Sequence, residues 1–176
     1  MSIDPGITME RLQEQFPGAR RALFRKYHIG GCASCGFQPA ESLAEVCARN
    51  GGLPVEEVAA CILEAHSQDE KVLIDPAEAA RLRESSGGRF IDIRTREEFE
   101  AVRIPGSELM SQDLLAGMGG WNPGELLVVV DHTGDRSLDA AAYFSGHGLQ
   151  QVRALRGGID AWSRHVDPSL PRYTVE

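Results

Sequence analysis

Two stretches of this 176-residue chain carry side chains that could do chemistry. The first is "CASC", in which two residues separate Cys32 from Cys35. Thiols at that spacing can close a small disulfide, and a thiolate at either position can attack a disulfide sulfur. The second is "DHTGDRS", residues 131 to 137, between the apolar run "LLVVV" and the Ala-rich "LDAAAYF". A strand that passes through a tight loop into a helix aims successive N–H groups at one spot and makes an anion cradle. Such a loop normally offers a nucleophile at its first position. Here that position is Asp131, followed by His132, Thr133, Gly134, Asp135, Arg136 and Ser137.

All four cysteines, Cys32, Cys35, Cys47 and Cys61, lie in the first third of the chain. In a reducing compartment this argues against a disulfide framework and for redox, sulfur-handling or metal chemistry at the pair. Cys47 and Cys61 fall on apolar faces of helical patterns and read as small buried hydrophobes. The pair itself has three readings: a redox or sulfur-relay site, metal ligands, or a structural element. Tetrahedral zinc wants four ligands, so His28 with Cys47 or Cys61 would have to complete the set. Gly36 and Pro39 postpone the next helix to about Ser42, which leaves Arg25, Lys26 and His28 as the nearby electrostatic support for a thiolate.

The elements that must position these residues differ between the two parts of the chain. Residues 8 to 66 read as short helices, broken at Pro17 and Gly18. Ser42 and Glu45 form a capping box, "NGG" ends that helix, and a last one starts near Pro54 and runs to about His66. After the charged break "SQDEK" the pattern changes to strand candidates "VLI", "RFIDI", "LLVVV" and "QVRAL". Helical stretches alternate with them at 76 to 84, 95 to 101, 111 to 117 and 137 to 146. That alternation predicts a mostly parallel sheet flanked by helices, with function at the carboxyl ends of the strands. Thr95 and Glu98 repeat the capping box directly after "FIDIR".

A net charge of −8 excludes a general nucleic-acid binder, which needs a basic face. The chain has neither a signal-peptide core nor a run of about 20 apolar residues, so a cytoplasmic protein off the membrane is expected.

The order of motifs after residue 70 resembles a single rhodanese domain, the sulfurtransferase fold. Asp92 and Arg94, Glu98 and Phe99, "RIPGS", "DHTGDRS" and "LRGGIDAW" match that family's pattern over roughly residues 70 to 165. The resemblance implies that the first residue of the loop should be a persulfide-carrying cysteine, a place held here by Asp131. Arg103 stands where the family usually has His and Ser107 where it usually has Ala. Gly134 would permit the tight loop, Arg136 would supply a fixed positive charge and Ser137 would cap the next helix. Asp131 would fill the cradle as a built-in anion, with its pKa lowered by the N–H groups. His132 reads as a solvent-facing loop residue, because neither the residue order nor a thiol supports a phosphatase.

The first third resembles a small helical CxxC domain, sometimes described as disulfide-oxidoreductase-like, through "RKYHIGGCASCG", "ESLAEVCARNG" and the helix after "LPVEE". The expected organisation is a helical CxxC domain at 1–68 and a rhodanese-like α/β domain at 69–176. The expected function is thiol redox or sulfur-relay work at Cys32 and Cys35, with the second domain inactive and serving for docking or regulation. A sulfur- or redox-handling protein is the expected partner. No cofactor is implied and no metal site is assigned. A non-enzymatic binding protein with a structural CxxC and a zinc or iron–sulfur protein are the alternatives.

Overall fold

The computed structural model describes residues 2–30 and 36–174, so Cys32 and Cys35 lie outside the described residues. The chain divides into two compact units, residues 1–71 and 72–176.

In the first unit the described residues are helical. Helix α1 (Met9–Gln15) starts where the Thr8 hydroxyl accepts the N–H of Arg11. Pro17 and Gly18 separate it from α2 (Ala19–Tyr27), which ends with His28 in the left-handed region at φ 58°. Helix α3 (Leu43–Arg49) opens on the Ser42–Glu45 capping box that the sequence predicts. Helix α4 (Val55–Val72) is longer than expected. The "SQDEK" stretch carries no Gly or Pro and continues the helix instead of ending it. The Gln68 amide donates to Glu64 at 2.6 Å, Lys71 donates to Gln68 at 3.2 Å, and Asp69 receives the Arg21 guanidinium at 2.6 Å. Met9, Leu12, Leu23, Leu43, Val46, Val58 and Ile62 form the core of the unit, with Cys47 buried among them.

The second unit alternates strands with helices, in the order β1 (Leu73–Ile74), α5 (Pro76–Ser86), β2 (Arg89–Asp92), α6 (Arg96–Ala101), β3 (Glu108–Leu109), α7 (Gln112–Ala116), β4 (Leu126–Val130), α8 (Ser137–Gly146), β5 (Gln151–Leu155) and α9 (Gly158–His165). Among the described residues these strands make one parallel sheet ordered β1-β5-β4-β2-β3. The α/β class follows from the alternation, as the sequence predicts. The run "LLVVV" is apolar throughout because β4 is central and both of its faces are covered. Val128 and Val130 face one apolar layer with Phe90, Leu155 and Trp162; Leu127 and Val129 face the other with Phe144 and Val152.

Strand β3 was not anticipated. Its two residues are too short to show a period, and Glu108 on it is held by a bidentate ion pair with Arg89. No helix of the described residues is long and apolar enough to cross a membrane.

The Thr95–Glu98 capping box at the start of α6 forms as predicted, with N–H to side-chain distances of 3.0 and 3.3 Å. Replacing Thr95 by Ala should lower stability by about 1 kcal/mol, the usual cost of a lost N-cap. Chemical denaturation of the parent and the variant would measure it.

Candidate functional site

The carboxyl ends of β4 and β2 are adjacent, since Asp92 pairs with Val130 and the N–H of Ile93 donates to the Val130 carbonyl at 2.9 Å. Two turns leave the sheet there. The turn after β4 is the "DHTGDRS" loop, and the turn after β2 carries Arg94 and the start of α6.

Asp131, 2% exposed, turns its carboxylate back into its own loop. Oδ1 accepts the N–H of Gly134 at 2.7 Å; Oδ2 accepts those of Arg136 at 2.7 Å and Ser137 at 3.2 Å. Backbone donors in such a loop need acceptors, and the carboxylate supplies them. The cradle is therefore formed and filled, with a carboxylate cap at the N-terminus of α8.

Two details differ from expectation. Ser137 does not cap α8 with its side chain: it is the first helical residue, and its hydroxyl donates to the Gly134 carbonyl at 3.2 Å. Arg136 is exposed, and what it brings to the carboxylate is its main-chain N–H.

The charge of Asp131 also runs against expectation. Burial pushes its carboxyl above the ordinary aspartate range, and the neighbouring charge of Asp135 adds to this. The N–H donors of Arg136, Gly134 and Ser137 pull the other way without overcoming burial. Asp135 itself is exposed and accepts the Thr133 hydroxyl at 2.7 Å.

The loop is pressed against the turn that opens α9. Gly134 has φ 96°, and a Cβ on it would lie 2.8 Å from the Gly157 nitrogen. Gly158 has φ 57°, and a Cβ there would run into the carbonyl oxygens of His132 and Asp131. The same carbonyls accept N–H groups of α9, Asp131 from Ile159 at 2.9 Å and His132 from Asp160 at 3.2 Å. The "GG" of "LRGGIDAW" is thus the surface on which the loop is moulded.

His132 is not solvent-facing. Its ring stacks on Tyr173 with centroids 4.3 Å apart and planes 14° off parallel, and Nε2 lies 3.0 Å from the Tyr173 carbonyl. A carbonyl only accepts, so Nε2 is the donor in this contact.

After β2, Asp92 and Arg94 form a buried ion pair, with Nε–Oδ1 at 2.9 Å and Nη2–Oδ2 at 2.7 Å. Nη2 also donates to the Val102 carbonyl at 2.7 Å, and Nη1 donates to the Tyr173 hydroxyl at 2.6 Å. The hydroxyl in turn donates to Glu98 at 2.8 Å. Beside this hub lies an open cleft of about 400 Å³, with Arg94 and Arg96 on its wall and Leu109, Met110 and Leu115 lining it. The sequence reading selected Asp92 and Arg94 but missed Tyr173. As the aromatic residue of "PRYTVE", Tyr173 was the available signal.

Residues 75–165, more than half of the chain, match the rhodanese-like domain. The chain belongs to the rhodanese-like family. Thiosulfate sulfurtransferase GlpE of Pseudomonas aeruginosa (strain LESB58) is 36% identical over 97 residues, covering 54% of this chain and 86% of that one. Rhodanese-like/PpiC domain-containing protein 12, chloroplastic, of Arabidopsis thaliana is 32% identical over 93 residues, and the match spans 48% of this chain but 30% of that longer protein. The reduced CoADR-RHD structure of Bacillus anthracis matches with a TM-score of 0.51 at 21% identity, over 68% of this chain and 21% of that one, a likeness of fold. In this rhodanese-like unit the loop after β4 and the turn after β2 are the parts of the sheet edge that "DHTGDRS" and "DIR" encode.

The thiol of Cys47 in the helical unit is pushed up by burial, which keeps it protonated in the core. Among the described residues no group of three or more His, Cys, Asp or Glu side chains is placed to hold a metal ion.

Two measurements test the cradle. A carboxyl held above its unfolded value adds stability that is complete below about pH 3.9 and is lost as pH rises through the folded value. Titration of the Asp131 carboxyl carbon by NMR should therefore give a midpoint above about 3.9; a midpoint below it would mean that the N–H donors outweigh burial. Asp131→Ser should cost about 1–3 kcal/mol by orphaning the donors. Sulfate should then raise the melting temperature of the variant by more than it raises that of the parent, as thermal unfolding at several sulfate concentrations would show.

Proposed function

We propose that this protein carries sulfane sulfur or exchanges disulfides through Cys32 and Cys35, in a reducing compartment such as the cytoplasm, and that its rhodanese-like unit serves for docking or regulation. Asp131 holds the position of the family's nucleophile. The observation that carries this reading is the Asp131 carboxylate seated in the N–H cradle of Gly134, Arg136 and Ser137. A carboxylate does not take sulfur into a persulfide, and no cysteine follows Cys61 in the chain. On this reading a covalent sulfur intermediate forms in the first third, where the CxxC pair is.

The flanks of that pair support the reading. Arg20 donates to the Gly30 carbonyl at 3.2 Å and Arg49 donates to the Gly36 carbonyl at 2.8 Å, on the two sides of residues 31–35. The Arg20 guanidinium also lies 5.8 Å from the Phe37 ring centroid. A cation close to either cysteine would favour thiolate over thiol, although Arg49 is also ion-paired with Glu41 at 3.1 Å.

In the proposed relay, one thiolate of the pair attacks the outer sulfur of thiosulfate and releases sulfite, leaving a persulfide on that cysteine. The second thiolate attacks the inner sulfur and releases hydrosulfide, leaving a Cys32–Cys35 disulfide for a dithiol protein to reduce. Alternatively, the persulfide passes its outer sulfur to an acceptor thiolate. The similarity to thiosulfate sulfurtransferases makes thiosulfate the first donor to try.

Intact-protein mass spectrometry after exposure to thiosulfate or polysulfide should show added sulfur that maps to Cys32 or Cys35 and disappears in the Cys32→Ser, Cys35→Ser double variant. That variant should also produce thiocyanate from thiosulfate and cyanide no faster than the uncatalysed background. Turnover by the double variant would overturn the inactive reading of the rhodanese-like unit. Thiols that alkylate like free cysteine and take up no sulfur would instead mark the CxxC as structural.

A further inference from the structure

The segment that follows α9, residues 167–174, returns over the sheet edge and is fastened at four points. The N–H of Asp167 donates to the Trp162 carbonyl at 3.1 Å, and the buried Ser163 hydroxyl donates to the Leu170 carbonyl at 2.6 Å. Arg172 pairs with Asp160 at 2.6 Å, and Asp160 also receives Arg164. The last point is Tyr173. Its hydroxyl stands between Arg94 and Glu98, its ring lies flat on His132, and its carbonyl accepts from His132 Nε2. The seam between the segment and α9, lined by His132, Ile159, Ser163 and Tyr173 among others, leaves no room for a water molecule.

Apart from Tyr173, what remains at this spot has the chemistry of a phenol receptor. Arg94, anchored by Asp92 and 6% exposed, points Nη1 outward as a donor. Glu98 is fixed by its capping box and offers Oε1 as an acceptor. The imidazole of His132 gives a flat stacking surface and a ring N–H. A phenol hydroxyl accepts one hydrogen bond and donates one, and here both are made to charged partners, the stronger kind.

We propose that Arg94, Glu98 and His132 form a phenol-binding site, and that segment 167–174 is its tethered occupant, a latch joining the β4–α8 loop to the turn after β2. Tyr173 touches both turns, so its release uncouples them and bares His132 beside the Asp131 cradle. The latch is independent of what Cys32 and Cys35 do, and its test uses no sulfur chemistry.

The test is NMR on the full chain. In the parent, the stacked phenol should shift the His132 ring protons upfield. In Tyr173→Ala that shift should vanish, and millimolar p-cresol should restore it while moving the Arg94 side-chain N–H signal; the parent, with its site filled, should not respond to p-cresol. Tyr173→Phe keeps the ring and loses the hydroxyl, so it tests the latch even if the alanine variant does not fold. The His132 shift should persist, and the Leu170 amide, bonded to the Asp167 carbonyl, should exchange with solvent at least about tenfold faster, because a hydrogen bond to a charged group is gone. A folded Tyr173→Ala variant that p-cresol leaves unchanged at His132 would overturn the binding site. Unaltered Leu170 exchange in Tyr173→Phe would overturn the latch.

Discussion

The carboxylate of Asp131 joins requirements that most loops meet separately. The turn from β4 into α8 leaves the N–H groups of Gly134, Arg136 and Ser137 pointing at one spot, and each needs an acceptor. A fold that binds an anion there takes the acceptor from solution. This chain supplies it covalently, on the last residue that the strand can place before the turn begins. Because the carboxylate lies inside the loop, the loop wraps tightly, and its outer wall is the backbone of Gly157 and Gly158. No side chain fits between the two, so the carbonyls of Asp131 and His132 are free to receive the first N–H groups of α9. One side chain thus caps one helix from within while its own backbone anchors another.

The turn after β2 is organised on a different basis. Asp92 and Arg94 are both buried, and such a pair is stable only when its remaining hydrogen-bonding capacity is used. It is used outward: the guanidinium reaches the Val102 carbonyl at the end of α6 and the Tyr173 hydroxyl from the far end of the unit. The main-chain groups around Asp92 are committed to the sheet, since its carbonyl accepts the N–H of Met110. The pair is a fixed post to which α6, β3 and segment 167–174 are tied. Removing either partner would strand a buried charge, a loss of about 3–5 kcal/mol.

What the sequence made legible was the part written in periodicity and local chemistry. The apolar run of β4, the two capping boxes and the break at Pro17 and Gly18 each depend on residues within a few positions of one another. The filled cradle at Asp131 was legible for the same reason, as donors and acceptor lie within seven residues. The pKa direction was not, because it depends on burial beneath α9, about 25 residues further on. His132 was misread as facing solvent because its cover, Tyr173, is 41 residues away. The far end of α4 runs on through "SQDEK" because that stretch has no Gly or Pro and its side chains bond at helical spacing, Gln68 to Glu64 and Lys71 to Gln68.

Asp131 also sets how the donors of this loop are shared. Its two oxygens divide the donors, Oδ1 taking Gly134 and Oδ2 taking Arg136 and Ser137. The acceptor here is tethered to the loop that it fills, so an anion from solution has to displace it. The burial that raises the Asp131 pKa is a standing cost of this arrangement, offset by donors that are never left unpaired. The Tyr173 segment rests its ring on this loop at His132. With the Asp131 carboxylate taking up the loop's N–H donors, His132 stands within stacking distance of Tyr173, 41 residues further along the chain.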